Sequence, residues 1–119
     1  MAQEASEAGY QSIRDFIEDN WVYLSAIDEN DEEVTRVGVS DDRFTWIHDA
    51  GDQVLEIELE LSGSDADVPT PTTFEASEVF EVSSGGDGLG KDSWAQASVA
   101  TDEDVVTIFH RIQVPELEE

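Results

Sequence analysis

The sequence predicts an all-β protein, an antiparallel β-sandwich or small barrel of seven to eight strands with one short N-terminal helix. Three observations predict it. Apolar and polar residues alternate at period two through most of the chain, most plainly in "VLEIELEL" (Val54–Leu61). The segments between alternating runs are mostly turns too short for a crossover helix, so neighbouring strands pair antiparallel. Helical spacing occurs once, near the N-terminus.

The elements follow in order. "SIRDFIED" (12–19) sets Ile13, Phe16 and Ile17 at helical spacing, with Ser12 as its cap. "WVYLSAI" (21–27) is apolar on both faces, as a central strand is, and "DENDEE" (28–33) turns the chain into a second strand over 33–39. After "SDD", "RFTWIH" (43–48) is a third strand, and "DAGD" (49–52) leads into a fourth over 53–61. Two prolines make 62–77 the longest expected loop. "EVFEV" (78–82) is a strand, 83–93 a glycine-rich loop, 94–100 a strand, "TDED" a turn, and 105–114 the last strand, stopped by Pro115. These elements divide the chain into a flexible acidic arm (1–11), one β-rich domain (12–115) and an acidic tail (116–119).

Composition sets further bounds. The chain has 119 residues, about one domain's worth. It has no cysteine, which excludes disulfide staples and thiolate metal sites. No apolar run approaches the roughly 20 residues of a membrane span. "MAQEASEAGYQS" has neither a basic n-region nor an apolar h-region, so no secretory signal is expected.

Charge is the strongest signal. Thirty Asp and Glu stand against five Lys and Arg, for a net charge of −25. The patterned β-branched and aromatic residues argue against disorder. A folded surface this acidic repels itself at low ionic strength, and molar salt, with a Debye length of about 3 Å, removes most of that repulsion. Four arginines and a single lysine, Lys91, complete a composition that resembles haloarchaeal proteins. Nucleic acid and anionic membrane surfaces are disfavoured partners, since nothing here neutralises a row of phosphates.

The candidate chemistry thins out on inspection. Glu56, Glu58 and Glu60 share one strand face, but acid–base work needs acids in unlike environments, and three equivalent exposed glutamates are best read as a solvated face. The "SDAD" and "DENDEE" loops offer oxygen ligands for calcium. An EF-hand wants Gly at its sixth position, where these have Thr70 (counting from Asp65) and Glu33. Only weak cation association in high salt is expected, and no cofactor. "GGDGLGKD" (85–92) has the wrong spacing for a phosphate loop, and Asp92 follows Lys91 where Ser or Thr is needed. His48 shares a face with Phe44 and Trp46. His110 alternates with Val106, Ile108 and Ile112, so both histidines are expected to be satisfied, partly buried groups.

The second half, from Arg43 to Glu116, resembles small β-rich proteins encoded by haloarchaeal tailed viruses. The likeness lies in "FTWIHDAGDQVLEIELEL", "GSDADVPTPTTF" and "HRIQVPE", none of them a catalytic or binding motif. The resemblance implies a virion structural protein, a capsid-surface or tail component that assembles symmetrically with itself and other virion proteins in the host cytoplasm. "YQSIRDFIEDNW" shares no such likeness and is read as a docking or oligomerising arm. The candidate contact residues are Phe16 on that arm, Asp65, Asp67 and Phe74 in the proline-bearing loop, Leu89 in the glycine loop, and Trp94, set among small residues. The alternative function is a binding module for a glycan, small ligand or cation.

Overall fold

The computed structural model describes residues 6–49, 52 and 54–113. The first five residues of the expected arm, the centre of the "DAGD" turn, the Pro115 stop and the 116–119 tail lie outside the described residues. One helix, α1 (Glu7–Asn20), precedes seven strands: β1 (Tyr23–Asp28), β2 (Glu33–Gly38), β3 (Phe44–Trp46), β4 (Val54–Ser62), β5 (Thr72–Phe80), β6 (Gly90–Val99) and β7 (Val105–Gln113). They form two antiparallel sheets, ordered β2-β1-β5-β6 and β3-β4-β7, which do not close into a barrel.

Period two explains how the sheets meet. On β4, Leu55, Ile57, Leu59 and Leu61 are buried, while Glu56, Glu58 and Glu60 lie on the opposite face. From the other sheet, Leu24, Ala26, Val37, Phe74, Val79 and Val99 enter the same core. Removing a side chain such as Ile57 from it costs about 2–5 kcal/mol.

Three expectations are corrected. The helix starts at Glu7, because Ser6, rather than Ser12, caps it, accepting from the Gly9 N–H at 3.2 Å. Residues 7–11 are therefore helix rather than flexible arm. Its inward stripe also differs, since Arg14 and Ile17 are buried while Ile13 and Phe16 face outward. The Arg14 side chain is wholly buried, and its guanidinium donates to Glu7 at 2.8 Å.

The loop expected over 62–77 ends at Pro71, since "TTFEAS" already pairs as β5, burying Phe74 and Ala76. The glycine loop is likewise shorter, because β6 begins at Gly90. Pairing of β5 with β6 slips between Phe74 and Ala76, where Trp94, Ala95 and Gln96 stand opposite Glu75 alone. Such a bulge re-aims side chains, here on an edge strand.

Candidate functional site

The acids of "SGSDAD" have a structural partner. Arg43, just before β3, reaches three carboxylates: Asp41 at 3.0 Å, Asp65 at 3.1 Å and Asp67 at 2.9 Å. Thr35 donates a further 2.6 Å bond to Asp67. The Arg43 guanidinium holds the Asp67 carboxyl down to about 2 and lowers Asp41 as well. The same bonds raise Arg43 above its ordinary value. The planar five-donor fork of arginine suits this sharing. Asp65 and Asp67 thus tie the β2–β3 and β4–β5 loops together.

A second arginine organises the glycine loop. Arg36 on β2 lies 3.5 Å from the centroid of the Phe80 ring. It donates to the carbonyls of Val82 and Gly85, both at 2.9 Å, and to Glu33 at 2.7 Å. Beside it, Lys91 pairs with Asp31 at 2.5 Å, which raises the lysine above its ordinary value. Arg36, Lys91, Glu33, Glu78, Ser25 and Gly86 border a polar recess of about 280 Å³. The two clamps tie the β2–β3, β4–β5 and β5–β6 loops into the fold, and the recess lies beside the second clamp.

Both histidines are satisfied. His48 Nδ1 accepts from the Glu56 N–H at 3.1 Å, which leaves the proton on Nε2 to bond Glu18 of α1 at 2.8 Å. Phe44, Trp46 and His48 form an edge-to-face row, at centroid distances of 5.7 and 5.4 Å. His110 is buried, and its Nδ1 meets Ser77 Oγ at 2.7 Å. Burial pushes the imidazole down to about 4. A serine beside a histidine is a nucleophile's arrangement. Here Ser77 is wholly buried, so the pair has no route to a substrate. Among the described residues, no three His, Asp or Glu side chains converge on a metal position.

The candidate contact residues fall in different places. Phe16 is 55% exposed on α1. Leu89 and Trp94 are half-buried against the core, and the Trp94 indole donates to Ser77 Oγ at 3.4 Å. Phe74 is a correction, since it is wholly buried in the core and offers no surface. Two surface residues were missed: Phe109, 48% exposed, and Val105, 56% exposed, both on β7. The alternation that turns His110 inward also turns Phe109 outward, so the signal was present in the sequence. Trp94, Ala95, Ala97, Thr107, Ile108 and Phe109 line a groove of about 270 Å³ between β6 and β7.

No helix among the described residues is long and apolar enough to cross a membrane. Compared with protein-family models, with curated proteins and with solved structures, the chain matches none.

Proposed function

We propose that this chain is a non-enzymatic virion structural protein of a halophilic archaeal tailed virus, a capsid turret or decoration or a tail component. On this reading the two sheets are a β-sandwich module that acts through symmetric protein–protein assembly. The observation that supports assembly is the exposure of Phe109, Val105 and Phe16 on a chain of net charge −25. Large apolar groups left in water on so charged a surface favour a partner. The viral assignment rests on the resemblance of the 43–116 segment, and the virion location on the same likeness. A non-catalytic role is favoured by the burial of Ser77 and His110 and by the structural use of Asp65 and Asp67.

Multi-angle light scattering in molar KCl tests the assembly reading. A defined homo-oligomer is expected. A strict monomer that binds neither virus particles nor the host surface overturns it. Portal, capsid or tail genes beside the coding sequence are the expected genetic context.

The recess between Arg36 and Lys91 favours a second reading, a binding module for a glycan, small ligand or cation. Calorimetric titration with monosaccharides and with calcium decides it, since stoichiometric heat above the salt background is the outcome that favours this reading.

A further inference from the structure

Carboxylates are spread through this chain with two long interruptions. Nine residues without one separate Asp92 from Asp102, and eleven separate Asp104 from Glu116; no other interruption is as long. The fold lays these two runs side by side. They form β6, which ends the four-stranded sheet, and β7, which ends the three-stranded one. The apolar groove lies between them, with Phe109 and Val105 standing in solvent.

The two ends of this strip differ in charge: one is wholly acidic, and the other sets two cations among Asp31, Glu56 and Asp92. The β6–β7 turn carries Asp102, Glu103 and Asp104 at one end. At the other end sits Arg111, whose side chain is 69% exposed although it touches Glu56 at 3.1 Å. Lys91 opens β6 at that same end, where the Arg111 N–H meets the Asp92 carboxylate at 3.4 Å.

We propose that the β6–β7 face binds a second copy of this chain in a two-fold, antiparallel arrangement. The proposal rests on the assembly reading above and names its surface. Two chains of net charge −25 set carboxylate against carboxylate at contact across most approaches, and repulsion at contact outlasts the screening of molar salt, whose Debye length is about 3 Å. β6 and β7 carry the longest carboxylate-free runs, so this face sets the fewest acids against acids, with Glu58 and Glu60 of β4 bordering it opposite Phe109 and Thr107. An antiparallel two-fold also brings the acidic turn of each copy to the exposed Arg111 guanidinium of the other, one favourable charge contact at each end. Six groove residues fall short of the roughly 20–30 a side that a stable interface uses. The outer edges of β6 and β7, which end their sheets, supply further backbone donors and acceptors.

The test is scattering mass on the full chain in molar KCl, with circular dichroism to confirm folding. The wild-type chain is expected at twice 13.1 kDa. Phe109→Asp and Ala95→Glu, both at exposed positions in the groove, are expected to halve that mass, and Phe16→Asp on α1 to leave it unchanged. A defined oligomer that keeps its mass in both folded groove variants overturns this surface and leaves the assembly reading standing. Wild-type chain at 13.1 kDa overturns this surface, and overturns the assembly reading as well if that monomer binds neither virus particles nor the host surface. Hydrogen exchange of the wild-type chain at high and low concentration decides the matter without substitution. Protection gained on β6 and β7 with concentration supports the surface, and protection gained only elsewhere overturns it.

Discussion

Ser77 on β5 and His110 on β7 meet across the two sheets, hydroxyl oxygen to Nδ1, at 2.7 Å. This is a polar link through an otherwise apolar core, and it makes stability depend on pH. The folded imidazole titrates at about 4, below the ordinary 6.5 or so of the unfolded chain. Between those values the unfolded state binds a proton that the folded state refuses. The contribution is therefore fully present above about pH 6.5 and is lost as pH falls toward 4. The loss is expected to be on the order of 3 kcal/mol, measured as the difference between wild type and His110→Gln in denaturant melts from pH 7 to 4.5. Parallel pH profiles for the two proteins would count against it.

Arg43 serves three carboxylates, so its replacement should be felt at all of them. Arg43→Ala is expected to cost about 1–3 kcal/mol, since charged hydrogen bonds are lost and Asp41, Asp65 and Asp67 are left to repel. Arg43→Lys should recover little, because an ammonium lacks the fork that reaches all three. Thermal melts of the three proteins check this. Full recovery by lysine would show that charge alone suffices.

Gly63 and Gly88 have equally little room, against unlike neighbours. A Cβ on Gly63 would stand 2.0 Å from the Thr101 carbonyl oxygen, which is backbone. A Cβ on Gly88 would stand 2.0 Å from Glu78 Oε2, the free end of a flexible side chain. Gly63→Ala is therefore expected to destabilise by about 1–3 kcal/mol, and Gly88→Ala by much less. The ordering of the two melting temperatures is the measurement, and equal losses would refute it.

The proposed halophilic surface makes a prediction independent of any partner. On moving from molar to millimolar KCl, the net charge of −25 is no longer screened. The protein should loosen or unfold, read by circular dichroism and melting temperature. An unchanged spectrum and melting point would sink the halophile reading.

Faces and strands were legible because they depend on a local period. Leu55, Ile57, Leu59 and Leu61 had to share a face, and the glutamates between them the other, whatever the strand paired with. His110 was placed inward by the same rule. The helix stripe was misjudged because counting apolar residues passes over Arg14, a charged residue that is wholly buried here. The start of β5 was hidden by its prolines, since turn chemistry up to Pro71 obscured the pairing that begins at Thr72.

The sequence by itself determined the alternation, the two-faced strands, the single helix and the acidic surface, because composition and period need no knowledge of distant neighbours. Only the tertiary structure decided that Asp65 and Asp67 belong to Arg43, that Ser77 meets His110, and that the two carboxylate-free runs become adjacent edges. Those facts depend on strand order and register. Both are set by which buried faces pack together, a choice that period-two alternation leaves open.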